Sequence, residues 1–138
     1  MRFVDTNVLL YAVSSAPGEA RKRRVARALL DATDLALSLQ VLQEFFVQAT
    51  RASRPDRLTH AQAAGLVEAF LRFPAQETTV AVARAAIATC ARHRLSYWDA
   101  AILEQARALG CDVVLSEGLA HGRDYDGVRV ENPFRSRA

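Results

Sequence analysis

Three acidic residues stand out because each adjoins a run of large apolar side chains. Asp5 follows Phe3-Val4, Glu44 precedes Phe45-Phe46, and Asp99 lies in an apolar segment near the end of the chain. Carboxylates gathered in a poorly solvated pocket repel one another, so such a cluster persists only with a cation or a shared proton. Oxygen ligands without His or Cys select Mg²⁺ or Mn²⁺. The predicted chemistry is therefore phosphodiester hydrolysis.

Each acid also has a purely structural interpretation. Asp5 suits a helix N-cap, although Thr6 is also placed to cap. Asp99 suits the third position of a capping box that begins at Ser96, and the spacing alone leaves both interpretations open. Glu44 suits the exposed edge of an amphipathic helix, so its functional interpretation depends on the other two acids. Asp5 has the strongest case, because an acid at the carboxyl end of a buried strand faces the ligand crevice.

Short apolar runs that alternate with helical periodicity predict an α/β fold. The predicted strands are 2–5, 35–38, 112–116 and 127–130, the last as an edge or final strand. The predicted helices are 6–13, 18–32, 39–52, 59–73, 80–94 and 96–109. Right-handed crossovers between such strands give a central, mainly parallel sheet whose carboxyl ends bind ligands.

The composition fits one compact domain. The chain has 138 residues, of which 51% are hydrophobic, and this is enough to form a core without disulfides. An uninterrupted apolar run of about 18 residues is absent, so no membrane span is expected. The acid at position 5 argues against a signal peptide, and we expect a cytoplasmic protein. Cys90 and Cys111 lack metal-ligand spacing and are predicted to be free thiols.

The order and spacing of these segments resemble the PIN-domain ribonucleases, and specifically the VapC-type toxins of toxin–antitoxin systems. The segments that are similar to the family's motifs are 3–11, 43–45, 95–102, 114–117 and 128–134. The resemblance implies a PIN-like three-layer α/β sandwich, with a central, mainly parallel sheet of four to five short strands flanked by helices. It also implies that residues 1–138 form a single PIN domain.

The resemblance further implies an activity and its partners. By position, Asp5, Glu44 and Asp99 would hold Mg²⁺ or Mn²⁺ and activate water for RNA cleavage, while Thr6 or Asn7 would orient the first carboxylate. Family members form homodimers and are inhibited by a cognate VapB-type antitoxin whose tail enters the acidic cleft. The expected protein is thus an endoribonuclease toxin with an RNA substrate, an antitoxin partner and no membrane association.

One departure from the family pattern concerns a fourth acid. The family often has this acid one residue after Glu117, where this chain has Gly118. Glu117 is the nearest substitute metal ligand, and Asp124 and Asp126 are further candidates. The sequence therefore favours one bound metal ion over two.

Two other features have both a functional and a structural interpretation. The segment Arg21-Lys22-Arg23-Arg24, with Arg27, is the densest basic run in a chain of net charge +3, and its arginines could face RNA. They are predicted either to steer RNA phosphates or to form a solvated helix face. Trp98 is predicted either to stack on a base or, with more weight, to pack in the core.

Two rival functions remain open at this stage. A phosphatase with an aspartyl nucleophile would have a second acid two residues after the first, and Asn7 at that position argues against it. A degenerate PIN-like module would bind RNA or a partner with weak or no cleavage. Gly118 is its only support, and the set of Asp5, Glu44 and Asp99 argues against it.

Overall fold

A computed structural model describes residues 1–135 of the chain, which hold six strands and six helices. A pair of helices separates each of the first three strands from the next, and the last three strands follow one another without a helix. The strands are β1 Arg2–Val4, β2 Leu35–Ser38, β3 Ala75–Gln76, β4 Val113–Leu115, β5 Asp124–Tyr125 and β6 Val128–Glu131. The helices are α1 Thr6–Ala12, α2 Ala20–Leu30, α3 Leu39–Ala49, α4 His60–Phe70, α5 Val80–His93 and α6 Tyr97–Ala108, with a 3₁₀ turn at Pro17–Glu19.

The strands form one sheet in the order β3-β2-β1-β4-β6-β5, in which only β5 is antiparallel to its neighbour. The predicted α/β class and mainly parallel sheet are confirmed. The sheet of residues 1–135 has six strands rather than four to five, because β3 and β5 are two residues long and too short to give a periodic pattern. Strand β6 is the last in sequence but lies inside the sheet, so the edge alternative was wrong.

Strand β1 lies at the point where the chain changes direction across the sheet. After β1 the chain adds β2 and β3 on one side, and it then returns to add β4 on the other. The backbone N–H of Asp5 donates to the carbonyl of Leu115 at 3.0 Å and joins the carboxyl ends of β1 and β4. Open α/β sheets bind ligands in the crevice at such a switch point. The topology therefore places residue 5 where a ligand site is expected.

The central strands are covered on both faces, as parallel strands usually are. Phe3, Leu37 and Val114 have no exposed surface. On one face, the ring of Phe45 in α3 meets that of Phe70 in α4 edge to face, with centroids 5.3 Å apart. Helix α3 is thus fixed by its apolar side, and the adjacent side presents polar residues to the crevice.

Two helix starts differ from the sequence prediction. Asp5, and not Thr6, is the N-cap residue of α1. The segment expected to form one helix from residue 18 begins instead with the 3₁₀ turn at Pro17–Glu19, and α2 starts at Ala20. Proline is favoured in such a first turn because its missing N–H needs no partner there.

Two further expectations concern the cysteines and the membrane. Cys90 and Cys111 are both free thiols, as predicted. Among the helices of residues 1–135, none combines the length and apolar character that a bilayer crossing requires.

Candidate active site

A pocket of about 210 Å³ brings the three predicted acids together at the sheet's switch point. Asp5 reaches it from the junction of β1 and α1, Glu44 from α3 and Asp99 from the first turn of α6. The remaining lining residues are Thr6, Asn7, Leu10, Gln40, Gln48, Trp98 and Ile102. The three acids, up to 94 positions apart in sequence, therefore face one crevice because three helices start or pass at the same sheet edge.

Both carboxylate oxygens of Asp5 are held by neutral donors. The backbone N–H of Thr6 donates to Oδ1 at 2.7 Å, and the hydroxyl of Ser116 donates to Oδ2 at 2.7 Å. The structural and functional interpretations of Asp5 are thus compatible, because a carboxylate has further lone pairs beyond these two bonds. The remaining lone pairs are available to a ligand in the pocket.

The surroundings of Asp5 make its ionised form unfavourable. Burial raises the pKa of its carboxyl group, and the charges of Glu44 and Asp99 raise it further, although the bonds from Ser116 and Thr6 act in the opposite direction. The pKa therefore lies above its ordinary value of 3.8. A buried carboxylate with acidic neighbours is stabilised by a cation, which reverses the unfavourable charge balance.

Glu44 is oriented by a chain of directional hydrogen bonds. The hydroxyl of Thr6 donates to Oε2 at 2.9 Å, and the amide of Gln40 donates to Oε1 at 3.0 Å. Gln40 in turn accepts a 2.6 Å bond from Nε2 of Gln105, a buried residue of α6. Because Gln105 occupies the oxygen of Gln40, the NH₂ group of Gln40 is directed at Glu44. The chain Gln105–Gln40–Glu44 thus supplies a donor to the carboxylate.

Asp99 contributes its backbone N–H to the helix cap, and its carboxylate takes no part in the cap. Its backbone N–H donates to the Ser96 hydroxyl at 3.1 Å, which is one half of the predicted capping box. The reciprocal bond from the Ser96 backbone to the Asp99 carboxylate does not occur in this part of the described chain. The carboxylate lines the pocket instead, together with Trp98 and Ile102.

The loop after β4 is tied to the start of α1. Oδ1 of Asn7 accepts the backbone N–H of Glu117 at 3.2 Å, and its amide faces Ser116 Oγ at 3.4 Å. The same Ser116 oxygen accepts the N–H of Gly118 at 3.1 Å. The Ser116 hydroxyl is therefore held by Asn7, Gly118 and Asp5, and it donates its proton to Asp5. Asn7 acts on the first carboxylate through Ser116.

Three residues of this network carry a role that the sequence did not assign. Gln40 precedes Glu44 by four positions on one helix face, so that pair was visible in the spacing. Ser116 was placed at a strand end, but the target of its hydroxyl depends on the β1–β4 register. Gln105 is 65 positions from Gln40 and gave no local signal.

Glu117 lies next to this network, but its carboxylate is directed elsewhere. Tyr11 donates to Oε1 at 2.5 Å and Lys22 donates to Oε2 at 2.6 Å. Burial acts against ionisation of Glu117, but the bonds from Lys22 and Tyr11 outweigh it and lower its pKa. Glu117 does not line the acidic pocket. The structure does not support the expectation that it replaces the fourth acid.

The other two substitute acids also have partners outside the pocket. Asp124 accepts the backbone N–H of Gly127 in the β5–β6 turn. Asp126 forms ion pairs with Arg92 and with His93 when the latter is protonated. Neither acid reaches Asp5 or its neighbours.

The basic run of α2 has largely structural contacts. Three of its arginines bind backbone carbonyl oxygens: Arg21 that of Phe134, Arg23 that of Ser14 and Arg27 that of Ala12. Arg24 is exposed. None of the four lines the acidic pocket, so an RNA contact by this run stays a prediction. Two of these bonds end on α1 or just beyond it, where cations are favourable.

The donor set of the pocket fits a hard cation. Its candidate ligands are carboxylate, hydroxyl and amide oxygens, which suit Mg²⁺ or Mn²⁺. Within residues 1–135, no three Asp, Glu, His or Cys side chains are arranged to hold one ion directly. Mg²⁺ commonly uses one or two carboxylates and keeps several waters. The arrangement therefore matches an ion that is partly hydrated rather than fully enclosed by protein.

Trp98 differs from its expected position. Its side chain is 63% exposed and lines the pocket beside Asp99, so the core interpretation was wrong. Helix α6 buries the residues that follow, Ala100 to Ala106, and leaves its first turn at the pocket rim.

The topology and pocket together define an α/β protein with an acid-lined crevice at the switch point of a mainly parallel sheet. A family model described as the PIN domain matches residues 2–122. The chain therefore belongs to the PIN domain family, as its motifs predicted.

Solved structures with similar folds support this placement. A toxin–antitoxin complex from Klebsiella pneumoniae contains a chain with a TM-score of 0.71 at 21% identity, covering 99% of this chain and 100% of that one. VapC20 from Mycobacterium tuberculosis, described as a sarcin–ricin loop cleaving toxin, gives 0.63 at 21%, covering 83% and 87%. DNA-bound VapBC from Salmonella typhimurium gives 0.66 at 21%, covering 96% and 97%. No curated protein matches the chain by sequence.

Proposed function

We propose that this protein is a VapC-type toxin that cleaves RNA as a Mg²⁺- or Mn²⁺-dependent endoribonuclease. The observation that carries the proposal is the pocket in which Asp5, Glu44 and Asp99 converge from three elements with neutral donors but no basic side chain in its lining. Membership of the PIN family supports it. The similarity in fold to a toxin described as cleaving the sarcin–ricin loop supports it further.

The roles of the pocket residues follow from their bonds. Asp5, Glu44 and Asp99 would hold the ion, directly or through water. Thr6 and Gln40 keep both oxygens of Glu44 oriented, so this carboxylate needs little rearrangement on binding. When bound, Mg²⁺ or Mn²⁺ supplies charge that stabilises a phosphate under attack and makes water a better nucleophile.

The proposal also covers the domain, the location and the partners of the protein. We propose that residues 1–138 act as one PIN domain in the cytoplasm, that two copies associate, and that a VapB-type antitoxin inhibits the toxin. Proteins of similar fold are described as a toxin–antitoxin complex and as DNA-bound VapBC, which supports an antitoxin partner. Coexpression with the product of an adjacent short reading frame tests this part, and the expected result is copurification with loss of cleavage.

The central test is cleavage of single-stranded and structured RNA by wild type, Asp5→Ala and Glu77→Ala. Glu77 is an exposed acid outside the pocket and serves as the matched control. Wild type and Glu77→Ala are expected to cleave with Mg²⁺ or Mn²⁺ and to stop with EDTA. Asp5→Ala is expected to lose the activity.

Two results would contradict the proposal in different ways. Equal residual cleavage by wild type and Asp5→Ala would refute the site assignment. RNA binding by wild type without metal-dependent cleavage would instead identify the chain as a binding module.

A further inference from the structure

Trp98 presents an exposed indole at the rim of the acidic pocket. We propose that this indole stacks on an unpaired base of the RNA next to the bond that is cut, so that the substrate is single-stranded at that point. The inference rests on the proposed function for its substrate class, but it can be tested without cleavage.

The position of Trp98 places its indole beside the acidic pocket. The residue is 63% exposed and lines the same pocket as Asp99, its neighbour in sequence, and Ile102, one helical turn later. A strand whose phosphate reaches Asp99 therefore comes close to the indole. A large aromatic side chain that is left in water beside a polar pocket gains from burial against a flat apolar partner.

The local structure holds the indole in place. The Ser96 hydroxyl caps the first turn of α6, and the residues after Asp99 are buried against the rest of the molecule. The ring of Tyr97 meets the indole at an interplanar angle of 77°, with centroids 5.0 Å apart. This edge-to-face contact restrains the indole without covering it, because more than half of Trp98 stays exposed. A restrained aromatic side chain loses little entropy when a base stacks on it.

The chemistry of the pocket indicates why a base is the expected partner. Carboxylates in the lining repel RNA phosphates, so the pocket alone gives a strand little affinity beyond what a cation supplies. Stacking on an aromatic ring adds about 1–3 kcal/mol per base and tolerates any base. Bases within a duplex are already stacked on their neighbours, so a side chain at a rim can reach only an unpaired base.

The sequence makes this contact directly measurable. Trp98 is the only tryptophan of the chain, so tryptophan emission reports on this position alone. The test uses the Asp5→Asn protein, which keeps the RNA uncut, titrated with single-stranded oligoadenylate and, separately, with inorganic polyphosphate. Oligoadenylate is expected to quench the emission, whereas polyphosphate, which lacks bases, is expected to leave it unchanged.

Affinities of variants give the second measurement. By anisotropy of a labelled single-stranded RNA, Trp98→Ala is expected to bind roughly 5- to 150-fold more weakly, which is the equivalent of the stacking energy. Trp98→Phe keeps a ring and is expected to recover most of the affinity. Ile87→Ala removes another exposed apolar side chain, on α5 and away from the pocket, and serves as the control.

Three results would overturn the inference. The first is equal quenching by polyphosphate, and the second is unchanged affinity in Trp98→Ala. The third is blue-shifted emission that depends on protein concentration without RNA, which would show that a second copy covers the indole. If wild type does not cleave RNA but the quenching still requires bases, the nuclease proposal is refuted and the stacking contact stands.

Discussion

Two carboxylate sites lie side by side at the same sheet edge, and their charges are balanced in opposite ways. Glu117 is neutralised within the protein by Lys22 and also accepts a bond from Tyr11. Asp5 lies among other carboxylates, and its partners are an uncharged hydroxyl and a backbone N–H. The loop through Ser116 connects the two sites, so they differ in their partners rather than in their location.

The pKa values follow this difference. The pKa of Glu117 is lowered, whereas the pKa of Asp5 is raised by burial and by the neighbouring carboxylates. A carboxylate that is matched within the fold contributes to structure. A carboxylate that stays unmatched in a pocket costs stability and is maintained where a ligand supplies the missing charge. We therefore interpret the Glu117 cluster as structural and the Asp5 pocket as the site of function.

The largest effect is expected for Asp5→Asn. Asparagine can keep the bond from the Thr6 N–H to its oxygen. Its amide would face a Ser116 oxygen that already accepts from Asn7 and Gly118, so the bond with Ser116 is lost. Cleavage should fall by more than about 100-fold, which is the upper range for residues that only support a ligand. Mg²⁺ should raise the Tm of wild type, since binding to the folded state stabilises it, and should not raise that of the variant.

The same variant tests the sign of the pKa shift. The raised pKa of Asp5 means that its ionised form destabilises the metal-free fold at neutral pH and that this penalty vanishes below the ordinary pKa. The Tm of Asp5→Asn relative to that of wild type in EDTA should therefore be highest near pH 7 and should decrease as the pH falls. Glu117→Gln is the control, and it should melt no higher than wild type. A Tm difference in EDTA that does not change with pH would contradict the comparison.

The next effect concerns the hydrogen-bond chain behind Glu44. In Gln105→Glu, the new ionised carboxylate would accept a hydrogen bond from the NH₂ group of Gln40. The side-chain amide of Gln40 would then flip and direct its oxygen toward Glu44. Glu44 would lose a donor and face a repulsive dipole. We expect metal affinity to fall about 10- to 100-fold, as is usual for the partners of ligands. The measurement is the Mg²⁺ concentration that gives half-maximal cleavage.

A second variant keeps this prediction testable if a buried glutamate impairs folding. Gln105→Met removes the donor at similar volume and without charge, so Gln40 is released but not reversed. Its loss of affinity should be smaller than that of Gln105→Glu. Equal metal affinity in wild type and in both variants, each with a normal Tm, would show that the hydrogen bonds from Gln105 through Gln40 do not position Glu44.

Gly118 offers a gain rather than a loss. A Cβ at this position would lie 3.8 Å from Ser116 Oγ and 3.9 Å from Asn7 Nδ2, which is ordinary contact distance. Gly118→Asp therefore adds a carboxylate beside the network without a clash. We expect metal to bind up to about tenfold tighter, because one more charge of the right sign faces the cation. Gly118→Asn has nearly the same shape and no charge, and an equal gain from it would contradict the electrostatic cause.

The sequence could predict those site features that depend on local spacing. Asp5 was recognisable because it ends an apolar strand, and the parallel sheet followed from the alternation of elements. The targets of side chains were not recognisable, because they depend on register. Glu117 is close to the expected fourth position, yet an ion pair with Lys22, 95 residues away in sequence, directs its carboxylate away from the pocket. Trp98 was weighted toward the core on its residue type, which carries no information about which turn of α6 meets solvent.

The smallest effect is expected for Lys22→Met, which removes the cation that neutralises Glu117. Both partners are about one-third exposed, so the pair should contribute less than about 1 kcal/mol to stability. The lowered pKa of Glu117 means that this contribution is present above its ordinary value of 4.5 and is lost as the pH falls. The stability difference from wild type in urea should therefore be small at pH 7 and should shrink further as the pH falls below 4.5. Cleavage should change little, because neither side chain lines the acidic pocket. A loss comparable to that of Asp5→Asn would show that the Glu117 cluster belongs to the active site.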